Sequence, residues 1–267
     1  MPQIVRDGCR LNYRVDGDPN ADTLLFSNSL GTTHALWEHQ LDALSPLFRV
    51  IRYDTRGHGA SDAPAGAYTI DELGLDALAI LEAAGGRTAH ICGLSLGGLT
   101  AMWLGVHAPD RVATLVLSST AARIGTALLW QERIELVRTS GVASLADAAM
   151  ERWFTNSFRT EHPDIVARYH LMLASCPTEG YASCCAAIRD ADLRAAIGTI
   201  AAPTLVLAGT HDPVTPPADA EAIRARIHGA RVSVLDAAHL SNVEQADAFN
   251  ESMIAFITQH EQGRLHG

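Results

Sequence analysis

Seven short runs of β-forming residues recur along the chain: "LNYRVDG", "TLLFSNS", "FRVIRYD", "AHICG", "ATLVLSS", "PTLVLAG" and "RVSVLDA". Most are separated by segments whose apolar residues fall at helical spacing, such as "TIDELGLDALAILEAAG" and "ADAFNESMIAFITQH". Strands alternating with helices join side by side in parallel, because a parallel crossover needs the length that a helix supplies. The later runs are apolar without alternation, as burial on both faces requires. The expected fold is therefore α/β, a mostly parallel sheet with helices on both faces. A chain of 267 residues, 48% of them hydrophobic, is large enough for such a core.

One interval breaks the alternation. Between "ATLVLSS" and "PTLVLAG", residues 122–197 hold helical patterns such as "ALLWQERIELVR", "LADAAMERWF" and "DIVARYHLML" but no strand. A structureless loop of that length is foreign to a compact domain, so a helical cap inserted over one end of the sheet is expected. Residues 1–121 and 198–260 then form the core, and 261–267 a frayed tail.

The stretch "HICGLSLGGLTAM" carries the chemistry. Ser95 stands between Gly93 and Gly97 where a strand pattern ends and a helix begins. A sharp strand-to-helix turn would lift the Ser95 hydroxyl above the sheet, and the glycines allow the close approach. The spacing of Gly93, Gly97 and Gly98 does not fit a dinucleotide-binding loop.

A serine hydroxyl needs a base, and the base needs an orienting acid. Of twelve histidines, His239 follows the last strand pattern and precedes the final helix, at the sheet edge where ligand-binding loops gather. His58 in "RGHGASD" reads as structural. The acid is Asp212 in "LVLAGTHDPVTPP", and the order Ser95, Asp212, His239 matches one hydrolase architecture. Oxyanion donors are expected from the backbone of Leu96 and, in the loop after "TLLFSNS", Leu30.

The formal net charge is −10 and all twenty basic residues are arginines, which excludes lysine chemistry and disfavours nucleic acid and anionic membranes as partners. Five cysteines without metal-type spacing fit a reducing cytoplasm. No leader or membrane-spanning run is expected from the pattern.

Together these features resemble the α/β-hydrolase superfamily, which implies an eight-stranded sheet with a cap after the sixth strand. "SNSLGTTHALW", "RYDTRGHG", "GLSLGG", "RWF" and "LAGTHDPVTPP" resemble more narrowly the 3-oxoadipate enol-lactonases of bacterial aromatic catabolism. That resemblance implies a serine hydrolase that opens a small anionic lactone, with no metal or organic cofactor. Other carboxylesterases, carbon–carbon hydrolases and haloperoxidase-type hydrolases share the triad motifs, as would a non-catalytic ligand-sensing protein on the same fold. An anionic substrate needs a local cation. Trp130 and Arg133 share one helical face and are expected to bind the substrate's carboxylate, with Arg152 in "ERWF" the next choice. The other cap arginines are Arg123, Arg138, Arg159, Arg168, Arg189 and Arg194.

Overall fold

A computed structural model describes residues 2–265, with side chains as far as Glu261. One sheet holds eight strands: β1 (Gln3–Arg6), β2 (Cys9–Asp16), β3 (Thr23–Ser27), β4 (Arg49–Tyr53), β5 (Ala89–Leu94), β6 (Val112–Ser118), β7 (Thr204–Gly209) and β8 (Arg231–Leu235). Their order is β1-β2-β4-β3-β5-β6-β7-β8, with antiparallel pairing only where β2 meets β1 and β4. Strands β3, β5, β6 and β7 are buried along their whole length, as their unbroken apolar character demands. The four residues of β1 were not among the seven runs. This strand lies at the sheet edge, half exposed, and its pairing with β2 leaves no apolar signature to read.

Helices α1 (Glu38–Leu44), α2 (Ile70–Ala83) and α3 (Leu96–His107) connect the first strands. Thr69 and Glu72 form a reciprocal capping box that starts α2, and Leu73, Ala77, Ile80 and Leu81 of that helix are buried. Five helices lie between β6 and β7: α4 (Ala127–Ser140), α5 (Ala146–Trp153), α6 (Asn156–Glu161), α7 (Pro163–Ala174) and α8 (Thr178–Asp190). The Leu193 N–H donates to the Ala122 carbonyl at 2.8 Å and ties the end of this helical segment to its start. Helix α8 is buried from Gly180 to Ile188, and its Gly, Ala, Ser and Cys residues show no apolar stripe. A helix covered on all sides has no solvent face to mark its period, which is why periodicity did not reveal it.

After β7 come α9 (Pro217–Arg224), α10 (Ser241–Glu244) and α11 (Ala246–Leu265). The expectation of a frayed tail from residue 261 is corrected as far as Leu265: α11 continues through it, and His90 Nε2 lies 3.0 Å from the Glu261 carboxylate. The last two residues lie outside the described chain.

Candidate active site

Ser95 joins β5 to α3 with φ 56° and ψ −111°, a region that costs a non-glycine residue about 1–3 kcal/mol. Several hydrogen bonds impose this conformation. The Ser95 N–H donates to Ser118 at 2.9 Å, and its carbonyl accepts from Gly98 N–H at 2.9 Å, Leu99 N–H at 3.1 Å and the Thr120 hydroxyl at 2.8 Å. A Cβ on Gly93 would collide with the Gly97 carbonyl oxygen, as the expected close approach requires. A Cβ on Gly97 would strike the Ser27 carbonyl oxygen at the end of β3, so this second glycine makes room for the neighbouring strand's loop.

That contact packs the start of the loop that carries Leu30 against the start of α3, which carries Leu96. Leu96 opens α3, so its N–H has no carbonyl one turn back. The Leu30 N–H meets no acceptor among the described residues, while Gly31 and Thr32 beside it are both bonded. Both leucines are buried. The Ser95 hydroxyl likewise forms no hydrogen bond among the described residues, His239 included.

Asp212 and His239 lie beyond the C-terminal ends of β7 and β8, on the same sheet edge as Ser95. His239 Nδ1 donates to Asp212 Oδ2 at 2.8 Å, with the two side chains 3% and 0% exposed. Asp212 Oδ1 accepts the N–H groups of Val214 (2.8 Å) and Thr215 (3.1 Å), and Oδ2 also accepts the Thr215 hydroxyl (2.8 Å). Burial would raise the Asp212 pKa, but the facing imidazole and these donors outweigh it and hold the carboxyl below its ordinary range. A carboxylate so held fixes the imidazole with Nδ1 protonated and Nε2 free to accept. Gly209 lets the chain turn here, since a Cβ would strike the Ala238 carbonyl oxygen. The exposed His211 pairs with Asp236 at 2.9 Å and takes no part in the buried pair.

The helical segment between β6 and β7 is tied to the backbone on both sides of His239. Glu244 accepts from the Ala238 N–H at 3.0 Å and, across the cap boundary, from the N–H (3.3 Å) and hydroxyl of Thr155. The Leu240 N–H donates to the Trp153 carbonyl at 3.0 Å.

Among the cap arginines, Arg123, Arg138, Arg168, Arg189 and Arg194 each pair with a carboxylate, and Arg159 meets Asn156. Arg133 and Arg152 form no ion pair among the described residues. Burial first, and then the like charge of Arg133, lowers the Arg152 pKa. The Arg133 guanidinium lies 5.3 Å from the Trp130 ring centroid, and the Trp130 N–H is committed to the Ile124 carbonyl at 2.7 Å. Trp130 is thus a buried platform beneath Arg133. The Tyr181 hydroxyl faces Arg133, and its ring lies against Gly31 of the loop after β3. Tyr181 therefore lies against both the Arg133 guanidinium and the loop that carries Leu30.

The model of the alpha/beta hydrolase fold family matches residues 22–246. The chain belongs to the α/β-hydrolase family. Among relatives of this α/β-hydrolase are two from Acinetobacter baylyi: 3-oxoadipate enol-lactonase 2, 45% identical over 92% of each chain, and 3-oxoadipate enol-lactonase 1, 40% identical over 94% of each. The crystal structure of the enol-lactonase from Burkholderia xenovorans LB400 superposes with a TM-score of 0.95 at 44% identity, covering 96% of this chain and all of that one. The sequence patterns did not single out Thr215, Tyr181 or Glu244. Each matters through a contact between segments, and local spacing carries no trace of it.

Proposed function

We propose that this α/β-hydrolase opens 3-oxoadipate enol-lactone to 3-oxoadipate through an acyl-enzyme formed on Ser95. The observation that carries the reading is the buried Asp212–His239 pair on the sheet edge that also bears a strained serine and two unpaired backbone N–H groups. His239 Nε2 takes the hydroxyl proton as Ser95 Oγ attacks the lactone carbonyl. The N–H groups of Leu30 and Leu96 receive the developing oxyanion. Collapse breaks the ring carbon–oxygen bond, and the departing enolate takes the proton from His239 Nε2, which restores the neutral base. An enolate is less basic than an alkoxide, so protonation by His239 matters less in this step than in ordinary ester cleavage. Water deprotonated by His239 then attacks the acyl carbon and releases the product.

Arg133, stacked on Trp130, takes the substrate's carboxylate, and the neighbouring Arg152 adds its charge. Two guanidiniums that form no salt bridge among the described residues, in a protein of net charge −10, support an anionic ligand here. Residues 122–197 act as the cap that carries this pair. The five cysteines are free and buried, which supports operation in a reducing cytoplasm.

The test follows loss of enol-lactone absorbance with the wild type and Ser95→Ala. The variant should fold normally and lose about a million-fold in kcat. Activity within tenfold of wild type would refute the Ser95 mechanism. A wild type that is labelled on Ser95 by a fluorophosphonate yet leaves the lactone intact would refute the substrate alone.

A further inference from the structure

The loop after β4 carries His58, which the hydrolytic mechanism does not use. Its imidazole is buried, and both ring nitrogens are engaged. Nε2 accepts the Gly31 N–H at 2.9 Å, and Nδ1 donates to the Arg56 carbonyl at 3.2 Å. An N–H pointing at Nε2 requires a lone pair there, so the ring is neutral with its proton on Nδ1. Burial lowers its pKa and favours that form, against the pull of the Arg56 carbonyl and the Asp54 charge.

We infer that His58 is a positioning residue for the oxyanion hole, its Nε2 holding the Gly31 N–H and through it the aim of the Leu30 N–H. The inference rests on the assignment of Leu30 as an oxyanion donor. The two amides belong to successive peptide planes, and only the torsions of Leu30 separate them. Gly31 has φ 77°, and Thr32 closes the turn behind it through its N–H (3.2 Å) and hydroxyl (2.8 Å) to the Ser29 carbonyl. With Gly31 anchored, little freedom remains for the Leu30 N–H to swing away.

The anchor is itself rigid. Arg56 is clasped by Asp76 of α2 at 2.5 and 2.8 Å and by Glu72 at 3.0 Å. The Cys184 thiol of the cap lies 3.5 Å from the Arg56 carbonyl, and the Gly57 and Gly180 backbones touch so closely that neither tolerates a Cβ. One histidine therefore ties the oxyanion loop to both the sheet-packing helix and the cap.

The test compares His58→Leu, which removes the acceptor, with His58→Gln, whose amide oxygen reaches the Nε2 position, and reads the ring by ¹⁵N NMR of histidine-labelled wild type. The spectrum should show His58 with an unprotonated Nε2, and a proton on Nε2 would overturn the inference whether or not the variants fold. His58→Leu should lower kcat by about 10- to 100-fold, part of the loss seen when a whole oxyanion donor is removed, with KM little changed. His58→Gln should recover most of that loss at a comparable melting temperature. Equal losses in both variants, or losses that track melting temperature, would mark His58 as a core residue only. Ser95→Ala measured in parallel separates the two assignments. An inactive Ser95→Ala beside an unimpaired His58→Leu overturns this inference alone, whereas an active Ser95→Ala overturns the mechanism it rests on.

Discussion

Replacing Asp212 by asparagine should disable the base through the geometry of a single side chain. Two backbone N–H groups, from Val214 and Thr215, point at Oδ1, whereas the Thr215 hydroxyl and His239 Nδ1 meet Oδ2. An asparagine that turned its NH₂ towards the backbone pair would set donor against donor twice, at a cost of about 1–3 kcal/mol for each unsatisfied buried group. The amide oxygen must therefore take the Oδ1 position and the NH₂ the Oδ2 position. The Thr215 hydroxyl can rotate to accept from that NH₂. The imidazole can accept only by moving its proton from Nδ1 to Nε2, the atom that the proposed mechanism needs bare to take the serine proton. A reversed tautomer costs roughly ten-thousand-fold in kcat, or about 5 kcal/mol at 1.36 kcal/mol per decade. The assay is kcat on the enol lactone, with ¹⁵N NMR to read the His239 tautomer and a melting curve to show a folded variant. A folded Asp212→Asn with its proton still on Nδ1, or with kcat within tenfold of wild type, would refute the reasoning.

Arg133→Ala should cost about 2–4 kcal/mol in kcat/KM towards the anionic lactone, as for one partner of a buried charge contact, and far less towards neutral phenyl acetate. Equal losses on the two substrates would indicate a damaged cap, and no loss on either would shift the carboxylate to Arg152. Asp54 predicts acid sensitivity: burial would raise its pKa, but His34 and the Ala60 N–H reverse this and hold it below the ordinary carboxylate value. A depressed folded-state pKa adds stability that is present above the unfolded value of about 3.9 and is lost as pH falls through the folded one. Urea midpoints of the wild type should therefore fall with pH below about 4, and Asp54→Asn should flatten that slope. An unchanged slope would refute the assignment.

What could be read from local pattern was what short-range physics controls. The unbroken apolar runs of β3, β5, β6 and β7 specify strands buried on both faces, and the periodic "TIDELGLDALAILEA" specifies α2. The glycines around Ser95 announce a turn too tight for side chains. The order of Ser95, Asp212 and His239 could be proposed because each follows a strand, and parallel strands carry their following loops to one edge.

The rest depended on which distant segments packed together. The sequence determined that a serine sits on a strand-to-helix turn, that an acid and a histidine follow later strands, and that a helical insertion interrupts the sheet pattern. The tertiary structure decided that His239 and not His211 meets Asp212, because β7 and β8 align so that Gly209 admits the Ala237–Ala238 backbone. It also decided that, among the described residues, Arg133 and Arg152 form no salt bridge whereas five other cap arginines do. His58 acquired its partner in the same way, across 27 positions of chain, when the loops after β3 and β4 came together beneath α8. Residue type and spacing set what a side chain can do. Its partner, burial and protonation state are set by segments that approach only when the core closes.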